Sequence, residues 1–204
     1  MMDNYEYIIA SLPVIHQEDN PSDSLDAAAL IDEIRGQLSS RDAAALDTLL
    51  AGYDPERMDA DFYRQALTHS NRFLREWFRF DLDLRNATVA FLNASLDRPA
   101  DQDKILLEGR EDEEFPAEQE AAAVLRRTDI LSRERGLDDL RWSKIDEITL
   151  MDWFDLEAIL GYVAKLKIID RWLQLDPYSG RELFRKLVED IRSTFDNKKK
   201  TLTI

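Results

Sequence analysis

Apolar residues recur at helical spacing along most of the chain. In "DSLDAAALIDEIRGQL" Leu30, Ile31, Ile34 and Leu38 share one face, the i, i+1, i+4, i+8 pattern of an amphipathic helix. "SSRDAAALDTLLAGYD" opens on Ser39, a cap residue, with Asp42 three positions on, and carries Leu46, Leu49, Leu50 and Tyr53 on one stripe. Asp54-Pro55 reads as a further cap with proline at the first helical position. The spacing then predicts one helix from about Asp59 to Phe80. Phe62, Ala66, Phe73 and Trp77 form one stripe of it; Tyr63, Leu67, Leu74 and Phe78 form a neighbouring one. Two adjoining stripes mean a wide buried face. "DLDLRNATVAFLNASL", from residue 83, stays helical through Leu84, Ala87, Val89, Phe91, Leu92 and Leu96.

Periodicity lapses over 97–116, where Pro99, Gly109 and Pro116 punctuate an acidic run. It resumes at Ala117 and continues to about residue 153, with Gly136 a candidate break and Trp142, Ile145, Ile148 and Leu150 the apolar side of the second part. The most apolar stretch follows, "WFDLEAILGYVAKLKIIDRWLQLD" at 153–176. Ile159, Tyr162, Leu166, Ile169 and Leu173 make a continuous seam; Leu156, Leu160 and Val163 make a second stripe; Ala164, Ile168, Trp172 and Leu175 make a third. A helix apolar on three sides is one surrounded by others, so this is the expected central helix. Lys and Arg stems in the gaps can cover apolar neighbours while their heads stay in water. A last helix over 176–195 starts at a Ser179–Glu182 capping box and turns Leu183, Phe184, Leu187, Val188, Ile191 and Phe195 to one side. "YEYIIASLP" near the N-terminus alternates enough for a strand but has no partner strand, which leaves an extended or one-turn segment tucked against the bundle. The expected fold is all-α, a multi-helix bundle. Residues 1–196 form a helical domain, with lobes at 1–97 and 117–196 joined by the acidic connector 98–116 as one arrangement, and 197–204 form a flexible basic tail.

Composition narrows the chemistry. The 204 residues include no Cys, which removes disulfides and thiolate metal sites. The net charge of −15 opposes contact with nucleic acid or anionic lipid. The acid is uneven: ten Asp/Glu against three Lys/Arg over Asp97–Glu120, and five against seven from Asp176 to the end. The N-terminus has acids where a signal peptide needs bases, and the charges within 153–176 rule that stretch out as a membrane span. His16 and His69 each stand alone, without the i, i+4 partner of a helical metal site. The acids of 111–114 lack the spacing of a calcium loop. The six glycines are scattered, so no phosphate loop is present, and no serine sits in a nucleophile elbow. No catalytic, cofactor or metal residue is therefore assigned, and no cofactor is expected. Asp170-Arg171-Trp172 reads either as a docking site or as an intrahelical charge pair beside a packed Trp.

Three stretches carry a resemblance. "YEYIIASLP", "FDLDLRNATVAFLNA" (80–94) and "RWSKIDEITLMDWFDLEAILGYVAKLKIIDRWLQLD…G" (141–180) resemble, in order, motifs of an uncharacterised all-helical family encoded in bacterial V-type ATPase operons. That family in turn resembles the central-stalk subunit of V-type ATP synthases that stands between rotor shaft and ring. The resemblance implies a non-catalytic part that couples the rotor shaft to the membrane ring of an H⁺ or Na⁺ ATPase. It implies as partners the shaft subunits and the ring, with no nucleic acid and no direct membrane insertion. It implies a cytoplasmic location, peripheral to the inner membrane through the complex. Composition alone is equally compatible with an acidic helical adaptor or regulatory module unrelated to the ATPase. A third reading, an enzyme with carboxylates in a helical cleft, requires a deep pocket holding two acids of perturbed pKa.

Overall fold

The structure, a computed structural model, describes residues 5–17, 26–110 and 113–174. The helix expected over 176–195, its Ser179–Glu182 box, Leu175 and the 197–204 tail lie outside these residues. Within them the fold is all-α: α1 (Glu6–Ser11), α2 (Ala27–Gln37), α3 (Ser40–Ala51), α4 (Ala60–Leu67), α5 (Arg72–Ser95), α6 (Glu118–Leu125), α7 (Ile130–Thr149) and α8 (Leu156–Gln174). No described helix is long and apolar enough to cross a membrane.

Polar caps set the boundaries. Asp26 accepts from the Ala29 N–H at 3.0 Å, Ser39 from Asp42 at 3.3 Å, Asp59 from Phe62 at 2.8 Å, and Asn71 from Leu74 at 3.1 Å. Each answers a backbone donor that the first helical turn leaves open. Ser39 is thus the cap the sequence suggested. Asp54-Pro55 is not one: Asp54 accepts from the Glu56 N–H at 3.1 Å within a turn, and the helix waits until Ala60.

The single helix expected over 59–80 is two. Thr68 donates its hydroxyl to the Arg64 carbonyl at 3.0 Å, His69 Nδ1 accepts from the Asn71 N–H at 3.0 Å, and Asn71 caps α5. Four short polar residues, Thr68 to Asn71, offer the backbone local partners that compete with helix continuation. The fold-back has a packing reason. On one straight helix Phe62 and Phe78 would stand about 24 Å apart. Here their rings meet edge-to-face at 4.9 Å, with Tyr63 at 6.4 Å from Phe78. The two apolar stripes remain, but they face each other across α4 and α5.

Gly136 is not a helix break either. It lies inside α7, not at a helix end; the break is at Arg126–Asp129, where Asp129 accepts from the Ser132 N–H at 2.6 Å. A Cβ on Gly136 would come within 2.8 Å of Val124 Cγ1 and 2.6 Å of the Arg127 guanidinium, so the glycine lets α6 lie close on α7. Of the apolar side expected here, Trp142, Ile145 and Ile148 are buried, whereas Leu150 is exposed. The N-terminal segment settles as the short helix α1, with Tyr5 and Ile8 buried. Tyr5 donates its N–H to the Phe154 carbonyl at 2.8 Å and its hydroxyl to Asp42, which ties this segment to α3 and to the turn before α8.

Residues 97–110 and 113–117 contain no helix and run beside α5. Asn86 clamps Ile105 through both backbone groups at 2.9 and 3.0 Å, Asn93 donates to the Gln102 carbonyl at 2.6 Å, and Leu107 is buried. The "RN" of the mid-chain motif thus includes a residue that orders the following loop.

α8 packs on α2, α3, α5 and α7, and its Ile159, Leu160, Val163, Ala164, Leu166, Ile168 and Ile169 are buried. Of the other stripe residues, Leu156, Tyr162 and Trp172 are half-buried against the same core, Leu173 is exposed near the end, and Leu175 lies outside the described residues. One hydrophobic cluster draws residues from all eight described helices. Leu166 is fully buried in it. Leu166→Ala is expected to cost about 2–5 kcal/mol in urea unfolding, the usual cost of an emptied core position, while Leu131→Ala, an exposed position, stays within about 0.5 kcal/mol of the parent.

Candidate functional site

A recess of about 620 Å³ opens between α5, α7, α8 and the connection after α3. Helical geometry brings its charges together from three elements: Asp81 and Arg85 from α5, Glu134, Asp138 and Arg141 from α7, and Lys167, Asp170 and Arg171 from α8. Four acids thus face four bases. The balance gives the recess no net field with which to gather an anion or a cation.

Asp138 is the hub. It is 4% exposed. Its Oδ1 accepts from Arg141 one turn later at 3.1 Å, and its Oδ2 accepts from Arg171 and, at 2.7 Å, from the Trp172 indole N–H. Arg171 also reaches Glu134 at 3.2 Å, and the Arg135 guanidinium stacks 3.9 Å over the Trp172 ring. A buried carboxylate is tolerable only with such a set of donors, and the set here belongs to two helices, so it locks α7 to α8. Deeper in, Tyr63 donates to Asp81 at 2.7 Å and Tyr53 to the Ala164 carbonyl at 3.4 Å. Burial, and then the nearby Asp81 charge, push both phenols above their ordinary range, so they remain neutral donors.

The Asp170-Arg171-Trp172 triplet therefore has a more specific structural role than an intrahelical pair. Asp170 does pair within α8, with Lys167 at 2.7 Å, but Arg171 and Trp172 serve the acid on α7. Sequence reasoning missed Asp138. Its partners Arg171 and Trp172 lie 33 and 34 positions away, and among 42 acids nothing local marks it.

A second recess, about 440 Å³, is lined by Tyr5, Asp42, His69, Asn71, Asp155 and Glu157 among others. Burial raises the carboxyls of Asp155 and Glu157, and burial with the nearby Arg75 and Arg41 lowers the His69 imidazole. Perturbed groups in a recess are what the enzymatic reading requires. Each, however, is committed to structure. Asp155 accepts from the Ala158 N–H at 3.1 Å at the start of α8, Glu157 accepts from Asn71 Nδ2 at 3.1 Å, and His69 accepts the Asn71 N–H. Together they join the start of α8 to the start of α5. His16 lies exposed in the segment after α1, far in sequence from His69. Among the described residues no three His, Asp or Glu side chains form a metal-binding group. Of the acids at 111–114, Glu113 pairs with Arg110 at 2.8 Å, and 111 and 112 lie outside the described residues. Arg110 also reaches Asp83 on α5 at 3.3 Å.

Fold and site thus define an all-α bundle in which the charged groups of one recess are ion-paired across α7 and α8, and the titratable groups of the other are hydrogen-bonded to the starts of α5 and α8. Over residues 111–194, less than half of its length, the chain matches the family described as protein of unknown function (DUF2764). No curated protein and no solved structure matches it.

Removing the hub should leave two arginines and an indole N–H without their acceptor. Asp138→Ala is expected to lower stability by about 1–3 kcal/mol in urea unfolding, the cost of lost buried hydrogen bonds with the part-exposed arginines still reaching water, and Arg171→Ala, whose side chain is 45% exposed, by less. A pH prediction follows from His69. Its folded pKa lies below the unfolded 6.5, so the folded protein binds fewer protons between the two values. The neutral ring's contribution is complete above 6.5 and is lost as pH falls through the folded value. A proton NMR titration should give His69 a midpoint below 6.5; a midpoint at or above it would reject the burial assignment.

Proposed function

We propose that the protein is a non-catalytic central-stalk component of a V-type ATPase or ATP synthase, joining the rotor shaft to the membrane ring. In this reading it lies in the cytoplasm, peripheral to the inner membrane, and reaches the membrane only through the complex. One observation carries it. Residues 141–174, most of the longest stretch that resembles the ATPase-operon family, fold as the end of α7, a turn and α8, and α8 is the helix around which the bundle closes. A part that passes torque must hold its shape, and densely packed interiors deform little. The Asp138 lock adds a directional tie between the same two helices. The shaft subunits and the ring are the partners this reading requires.

The runner-up, an acidic adaptor outside the ATPase, draws on the net charge of −15. Salt separates it from the stalk only in part, because both use charged surfaces. Partner identity separates them fully. The purified chain is expected to retain the ATPase shaft subunits in a pull-down at low salt and to co-purify with the complex. Retention of none of them would reject the stalk assignment.

A further inference from the structure

The turn between α7 and α8 displays what the rest of the bundle hides. Leu150 is 69% exposed, Met151 80%, Trp153 70% and Phe154 47%. Scattered exposed hydrophobics are ordinary, but four large ones within five residues form a patch, and such patches mark interaction sites. Met and Trp are also enriched where proteins bind one another.

The turn is held in place from both sides. Arg72, at the start of α5, donates to the Ile148 carbonyl at 3.0 Å and pairs with Asp152. The Phe154 carbonyl takes the Tyr5 N–H, and Asp155 caps α8. Gly161 lets α8 approach the end of α7: a Cβ there would stand 2.7 Å from Thr149 Cγ2. A groove of about 310 Å³ lies between the chain after α1 and α8, lined by Ile9, Leu12, Val14 and Tyr162 and by Thr149, Asp152 and Lys165; Thr149 and Asp152 are chain neighbours of the patch residues. The side chains are therefore presented on an ordered support, which lowers the entropy lost on binding.

The surrounding charge indicates the partner. Residues 146–157 contain Asp146, Glu147, Asp152, Asp155 and Glu157 and no Lys or Arg. Lys165, Lys144 and Arg72 answer the first three. Asp155 and Glu157 are hydrogen-bonded to the neutral donors Ala158 N–H and Asn71 Nδ2, and the cation near Glu157 is the same Arg72 that already pairs with Asp152, so five acids face three bases. The patch thus sits in a residual negative field. An anionic bilayer is repelled by it, and so is a second copy of a chain carrying −15.

We propose that the α7–α8 turn is a docking surface and that its occupant is a partner protein presenting an apolar pocket rimmed by Lys and Arg. This deepens the stalk reading and rests on it for the partner's identity, not for the location of the surface.

Site-specific photo-crosslinking of the full chain, in the cells that make it, tests the proposal. Benzoylphenylalanine replaces Trp153 in one variant and the exposed Leu131 of α7 in a control. Position 153 is expected to yield a discrete adduct that position 131 does not, mapped by mass spectrometry to a Lys/Arg-flanked apolar segment of another protein. Trp153→Ser is then expected to weaken binding to that protein at least about tenfold, as loss of a central aromatic usually does. If the adduct is on a protein of the shaft or ring, both readings stand. If it is on an unrelated protein of the same chemistry, the surface stands and the stalk reading fails. An adduct to a second copy, to residues 176–204 of the same chain or to lipid overturns the docking proposal. So do equal yields at both positions, or no adduct at 153. A positive shaft pull-down alongside any of those results would leave the stalk reading in place and remove only the surface.

Discussion

The bundle depends on burial of α8. A helix with apolar residues on three sides has no stable place at a surface, and here α2, α3, α5 and α7 take up its faces. Most of the remaining architecture serves to surround it. The first part of α5 supplies Phe73, Trp77, Phe78 and Phe80 to the core, and its later part holds the following loop through Asn86 and Asn93. α4 folds back so that Phe62 and Tyr63 complete the cluster around Phe78. The N-terminal segment reaches α8 through Tyr162, whose hydroxyl donates to the Pro13 carbonyl at 3.0 Å.

Burial alone is non-directional, and the polar contacts supply what it lacks. Asp138 fixes the rotation of α7 against α8, because its donors sit on a turn of α7 and on adjacent residues of α8. Asn71 links the start of α5 to Glu157, and Arg72 links it to the α7–α8 turn. Both recesses are lined by these contacts. Their charged groups are explained by joining helices, which is why perturbed ionisation here coincides with structural hydrogen bonds.

The proposed stalk role asks for a part that transmits force. A stiff block needs few reactive groups, a dense interior and a defined place to hold its neighbours. The α7–α8 turn has the features of such a place: apolar side chains, an ordered backbone and a residual negative field. The same stretch of sequence supplies the central helix and the exposed turn, so a contact made at the turn acts on the element most tightly embedded in the core.

The sequence by itself determined the helical class, the Ser39 cap, and the central position of the helix within 153–176, which spans Leu156–Gln174. Those features are local or periodic, and a 3.6-residue repeat is visible without neighbours. That Trp153 and Phe154 stand exposed before this helix was not legible. Nor did the pattern determine where continuous periodicity breaks. At 68–71 the stripes run on across the gap, because the same residues serve two helices that face each other. At Gly136 a breaker in sequence proved to be a close approach between α6 and α7. Leu150 shows the converse, an apolar residue that fits the helical stripe but lies beyond the last residue of α7. The Asp138 hub and the exposed turn were decided only by tertiary structure. Which of many acids is buried, and which of many hydrophobics is not, depends on contacts between residues far apart in the chain, and a single sequence records spacing rather than proximity.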